Sequence, residues 1–138
     1  MTEEQLRERL RHPLSGVELE GFGPLQRGKV RDAYLVGDSR RLLITTDRIS
    51  AFDRVLGTIP FRGQVLNQLT NWWLERTRDL VDNHLLAEVH PNVVLVRDAQ
   101  PLPIEVVVRA YLTGSSKTAL WTLYEKGQTG VYGLELPP

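Results

Sequence analysis

The chain has 138 residues, no cysteine, and 17 basic against 17 acidic side chains. That length suits one domain or one and a fraction, enough to bury a core without staples. The missing cysteines exclude disulfides, thiolate zinc centres and cysteine nucleophiles, and suit a reducing compartment. Balanced charge gives no basic excess for a nucleic acid, and no apolar run nears the roughly 18 residues of a membrane span. The charged start "MTEEQLRERLRH" is unlike a secretory signal. A soluble cytoplasmic protein is expected.

In chain order, Thr2 and Gln5 have the capping-box spacing, so "EEQLRERLRH" reads as a short polar helix ended by His12-Pro13. Strands are expected at Val17–Gly21, Lys29–Val36 and Leu42–Thr46, the last two joined by a turn at "GDSR". The run Gly63–Leu80 has Val65, Leu66, Leu69, Trp72 and Trp73 at helical spacing, which predicts a helix with both tryptophans anchored in the core. "NVVLVRD" and "PIEVVVRAYL" read as strands buried on both faces, and "SSKTALWTLYEKG" as a helix with Gly127 beyond its end. After Gly127 the sequence holds turn residues without a sustained period.

Three segments could carry chemistry. In "QRGKVRDAYLV", Gly28 allows close backbone approach, and strand alternation puts Lys29 and Arg31 on one face, Val30 and Asp32 on the other. The face could grip a polyphosphate, or be a solvated hairpin edge with charged gatekeepers. It lacks the GxxxxGK[ST] spacing of a P-loop. In "TTDRISAFD", Asp47, Ser50 and Asp53 surround Arg48. They could position a small polar substrate or a hydrated Mg²⁺, or simply be turn and cap residues.

The third segment is "PLPIEVVVRAYLTGSSK". A buried arginine without a partner is very costly, so Arg109 either pairs with a carboxylate, Glu105 being on its strand face, or meets a ligand. Its planar fork matches a phosphate, and Ser115 at the start of the next helix would add a hydroxyl beside free N–H groups. His12, His84 and His90 show no metal-ligand spacing, and no Gly-x-Ser-x-Gly elbow appears.

Together "GKVRDAYLV", "TTDRISAFD" and "LPIEVVVRAYLTGS" resemble the phosphoribosylaminoimidazole-succinocarboxamide synthase (SAICAR synthetase) family, over about Leu25 to Pro138. Ala110 departs from the glycine many members carry there. The resemblance implies a ligase in which ATP activates the carboxylate of carboxyaminoimidazole ribotide and the amine of L-aspartate displaces phosphate. SAICAR, ADP and phosphate would result, with Mg²⁺ required. It implies that Gly28, Lys29, Val30 and Arg31 lie against the ATP phosphates, and that Arg109 and Ser115 hold the ribotide 5′-phosphate. Asp47, Ser50 and Asp53 would line the carboxylate or aspartate pocket, and Pro103 to Val106 would pass near the adenine.

The fold expected is α+β: a mainly antiparallel ATP-side lobe over residues 1–102, packed by the Gly63–Leu80 helix, then a hinge and the start of a second α/β lobe over 103–138. The family motif Asp-x-Lys-x-Glu-Phe-Gly is absent. The expectation is therefore an N-terminal portion, inactive by itself and without metal ligands of its own. A homo-oligomer is compatible with this reading. A non-catalytic nucleotide- or ribotide-binding module is the alternative, and a domain whose tryptophan helix docks a partner is a third.

Overall fold

Thr2 Oγ1 accepts the Gln5 amide at 3.2 Å while Gln5 Oε1 accepts that of Thr2 at 2.9 Å, so the capping box forms and opens α1, Glu3–Arg9. The computed structural model describes residues 2–104, 106 and 108–138. It divides into two compact units, Met1–Gln100 and Pro101–Pro138.

The first unit is built on a five-stranded antiparallel sheet of β1 (Gln26–Arg27), β2 (Arg31–Val36), β3 (Arg40–Thr45), β6 (Leu85–His90) and β7 (Val93–Arg97), in the order β1-β2-β3-β7-β6. A separate hairpin pairs β4 (Arg48–Ala51) with β5 (Arg54–Thr58). Alternation along the strands sorts the core into two layers. Tyr34, Leu42 and Ile44 form one cluster, covered by Leu14, Val17, Leu19 and Leu25 of the incoming chain. Val94, Val96 and Leu85 form the other, joined by Leu43 and by Leu74 of α2 (Arg62–Arg76). Each fully buried aliphatic or aromatic side chain here contributes about 1.5–3 kcal/mol.

The expected strand at Val17–Gly21 does not pair with a neighbour. Its apolar residues lie over the sheet instead, and the Tyr34 hydroxyl accepts the Leu19 amide at 2.9 Å. The expected Lys29–Val36 strand starts later, at Arg31, because Gly28 to Val30 turn the chain from β1 into β2.

The helix α2 meets the sheet by a face the sequence did not advertise. Its buried positions are Gly63, Asn67 and Asn71. Asn67 donates to Pro91 O at 3.0 Å and accepts from Thr45 Oγ1 at 3.2 Å, and Asn71 donates to Glu88 Oε2 at 2.5 Å. A Cβ on Gly63 would sit 2.4 Å from Thr45 O, so only glycine lets the helix come this close. Val65, Leu69, Trp72 and Trp73 point outward, the tryptophans 48% and 55% exposed. The two rings stack edge to face, with the Arg76 guanidinium 4.4 Å above Trp72. Polar partners and a close approach, not the apolar stripe, set this helix's orientation.

In the second unit, none of the described residues of the expected strand Pro103–Leu112 pairs with another strand. Ile104, Val106 and Val108 are exposed. A strand exists only through a ladder partner, and this unit's ladder is the small hairpin of β8 (Gly130–Val131) and β9 (Leu134–Glu135). That hairpin occupies the stretch expected to be patternless. Tyr132 and Gly133 take φ of 52° and 76°, the two left-handed positions of a type I′ turn. The helix α3 covers Leu120–Glu125, shorter than expected, and ends in a Schellman motif with Gly127 donating to Tyr124 O and Gln128 to Leu123 O.

Candidate functional site

The Gly28–Arg31 turn is drawn tight from both ends and from behind. Gly28 N donates to Arg31 O at 2.8 Å, and a Cβ on Gly28 would lie 2.7 Å from that oxygen. Its next three carbonyls face the same two residues. Arg48 donates from Nη2 to Gly28 O and from Nε to Lys29 O, each at 3.0 Å. Thr46 donates to Val30 O from N at 3.1 Å and from Oγ1 at 2.7 Å. In a trans peptide the N–H of the following residue points opposite to the carbonyl, and no described peptide is cis. The amides of Lys29, Val30 and Arg31 are therefore turned away from Arg48 and Thr46. Among the described residues, the Lys29 and Val30 N–H groups have no hydrogen-bond partner. Successive outward amides form a concavity suited to an anion.

Charge is supplied at the same place. The Lys29 ammonium pairs with the Asp53 carboxylate at the tip of the β4–β5 hairpin, where Phe52 and Asp53 take φ of 51° and 61°. Lys29 holds the Asp53 carboxyl below its ordinary value, by hydrogen bonding first and by its charge second. Arg31 lines a small 40 Å³ cavity with Thr70 and Asn71 of α2, while Lys29 precedes β2 and so does not share its alternation. Ser50 sits in β4, half-buried. Thus the structure brings Lys29 and Asp53 together and directs Arg31 toward the helix.

Asp47 faces inward. One oxygen accepts the Leu14 amide and the other that of Gly63, both at 2.8 Å, and the residue borders a 250 Å³ cavity with His12, His90 and Gln64. Arg48, which the sequence reading left without a role, is the most heavily bonded side chain here, and its partner Asp32 is fully buried. A signal was available: a buried arginine demands a carboxylate, and Asp32 is the acid next to the glycine turn.

In the second unit Arg109 lines an open 440 Å³ cavity with Ala110, Tyr111, Leu112, Thr113 and Leu120. Ser115 does not start the following helix as expected, since α3 begins at Leu120 and Ser116 to Ala119 form a turn. Gly114 is required by its φ of 124° and by the approach of Ala119, whose Cβ would be 2.3 Å from an added Cβ. Glu105, the candidate partner of Arg109, lies outside the described residues.

Asp32, Asp47 and Asp53 are engaged by Arg48, by backbone amides and by Lys29 respectively. Among the described residues no group of three acids and histidines suits a metal ion. The described residues do not fit a Mg²⁺ cage.

Residues 24–132 match the model of the SAICAR synthetase family. The phosphoribosylaminoimidazole-succinocarboxamide synthase of Legionella pneumophila (strain Paris) is 48% identical over 116 residues, which cover 84% of this chain and 37% of that protein. The chloroplastic enzyme of the same name from Arabidopsis thaliana is 50% identical over 110 residues, 80% of this chain and 26% of that protein. Among solved structures, the Saccharomyces cerevisiae SAICAR synthase complexed with SAICAR superposes with a TM-score of 0.73 at 34% identity, over 90% of this chain and 48% of that one. The chain thus spans about a third of the length of the curated relatives it matches. It belongs to the SAICAR synthetase family.

Proposed function

We propose that the first unit is the ATP-side lobe of a ligase that joins L-aspartate to the carboxylate of carboxyaminoimidazole ribotide, yielding SAICAR, ADP and phosphate. The observation that carries this reading is the pair of unpartnered amides, Lys29 and Val30, beside the Lys29 ammonium. Preorganised N–H donors and a mobile cation are what a nucleotide's terminal phosphates need as charge shifts during phosphoryl transfer. In this reading Asp53 holds Lys29 in place until a phosphate competes for it, and Ser50 lies on the adjoining strand toward the acceptor pocket. Arg109 binds the ribotide 5′-phosphate from its cavity, with Ser115 on the same loop. Asp47 holds the frame by tying the incoming chain to α2.

The test is calorimetric titration of the chain with MgADP, repeated with Lys29→Gln. Saturable binding that weakens in the variant supports the reading, and absence of binding by the unaltered chain overturns it. Turnover is a separate question. The chain lacks the Asp-x-Lys-x-Glu-Phe-Gly motif, so aspartate-dependent ADP release by this chain alone is expected to be absent. Binding without turnover would also fit the nucleotide-binding module, and a full-length relative carrying Lys29→Gln then decides whether the loop serves the reaction.

A further inference from the structure

We propose that Arg48 is a positioning residue for the polyphosphate-binding turn: it touches no ligand, but fixes the peptide planes that aim the Lys29 and Val30 amides outward. The proposal rests on the reading of that turn as a phosphate site.

The guanidinium is saturated. Nε donates to Lys29 O, Nη2 to Gly28 O and Asp32 Oδ1, and Nη1 to Ser15 O and Asp32 Oδ2, at 3.0, 3.0, 2.6, 2.6 and 3.3 Å. An arginine has five N–H donors, and all five are engaged. Arg48 is 7% exposed and Asp32 fully buried, so the pair sits behind the turn and away from solvent. Asp32 balances the charge, and without it the buried cation would be strongly unfavourable. The rigid fork matters as much as the charge. Its Nε and Nη2 reach two successive carbonyls at once, which a lysine, a point charge with three rotatable donors, cannot reproduce.

The arrangement is itself anchored. Arg62 of α2 donates to the Arg48 carbonyl at 2.9 Å, and Thr46 holds the next carbonyl of the turn. Arg48 thereby links the incoming chain at Ser15, the strand β2 at Asp32 and the turn at Gly28 and Lys29. A turn fixed before binding spares the ligand the entropy of ordering it. Each residue left to be ordered on binding weakens affinity by about tenfold.

An ion pair that only stabilised the fold would change stability alone. The experiment therefore compares Arg48→Lys with Val96→Ala, a core variant outside the turn that makes none of its hydrogen bonds, matched by denaturant midpoint. Because Arg48→Lys could destabilise through Asp32, the double variant Asp32→Asn/Arg48→Gln, which leaves no buried charge, is run in parallel. Two readouts are taken: amide exchange at Gly28, whose N–H is bonded to Arg31 O, and affinity for MgADP and for inorganic pyrophosphate. Arg48→Lys and the double variant are expected to speed Gly28 exchange beyond Val96→Ala, and to weaken both probes by roughly tenfold, while Val96→Ala binds as the unaltered chain does. Unchanged Gly28 exchange in both Arg48 variants overturns the proposal. Equal affinity loss in Val96→Ala also overturns it, by making the effect one of stability. Failure of the unaltered chain to bind either probe overturns the phosphate reading and the ligand-facing half of the proposal, while exchange still judges the hold on the turn.

Discussion

Asp47 Oδ1 accepts the Gly63 amide at 2.8 Å across 16 residues of sequence, capping a helix that cannot cap itself. The N-cap residue of α2 is Phe61, in the left-handed conformation with φ of 63° and no side-chain acceptor. A carboxylate from the link between β3 and β4 supplies what a local serine or aspartate would normally provide. Its other oxygen holds Leu14, so one side chain fixes both the helix start and the incoming chain.

Asp47→Ala is therefore expected to destabilise the first unit by about 1–3 kcal/mol, since one buried and one part-buried amide lose their acceptor. Urea unfolding followed by far-UV circular dichroism measures this. A change below about 0.5 kcal/mol, the range of ordinary surface substitutions, would show that water replaces the carboxylate without loss.

The exposed tryptophans and the buried asparagines of α2 reverse the usual ranking of importance. Asn67→Ala removes a donor to Pro91 O and an acceptor for Thr45, and is expected to cost about 1–3 kcal/mol. Trp73→Gln, at a position 55% exposed, is expected to cost less than Asn67→Ala. The paired denaturation curves decide, and a larger effect at Trp73 would mean that its exposed ring carries more than its area indicates.

Titration of Asp53 gives a signed expectation. Lys29 lowers its carboxyl below the ordinary 3.8, so any stability from this pair is fully present above that value and is lost as pH falls through the lowered one. Carboxyl ¹³C shifts of Asp53 should show a midpoint below 3.8 that returns toward it in Lys29→Gln. A midpoint unaffected by Lys29→Gln would mean that the pair is broken in solution. Both groups are largely exposed, so the effect on global stability is small.

At Gly28 the constraint is space. A methyl group would lie 2.7 Å from the backbone oxygen of Arg31, which cannot rotate aside. Gly28→Ala is expected to open the turn and weaken MgADP by roughly tenfold, the effect of one residue losing its preset conformation. Thermal unfolding and calorimetry on the same variant check that affinity falls more than stability does.

Much of the first unit was legible in the sequence because its signals are local. The capping box at Thr2, the turn at Gly37 to Ser39 and the β-rich runs of β2, β3 and β7 all follow from neighbouring residues. What escaped depends on contacts between distant segments. The face of α2 was misread because Asn67 and Asn71 find acceptors and a glycine finds room, none of which periodicity reports. The Tyr132-Gly133 turn escaped because tyrosine is not a residue expected at positive φ. At the candidate site, Gly28 and Lys29 were visible as a glycine beside a cation. The residues that shape their turn were not, since Thr46 and Arg48 act on backbone carbonyls and Asp32 acts through its ion pair with Arg48.

The exposure of Ile104, Val106 and Val108, at 69%, 77% and 93%, has a colloidal consequence. Equal numbers of positive and negative side chains set the isoelectric point near 6.8. Copies that meet in neutral buffer therefore feel no mean repulsion, and the surfaces that touch include β-branched side chains prone to pairing as strands. Solubility should pass through a minimum close to pH 6.8 and rise on either side as net charge returns. Light scattering across that range would locate the minimum, and substituting Val106 and Val108 with lysine should flatten it.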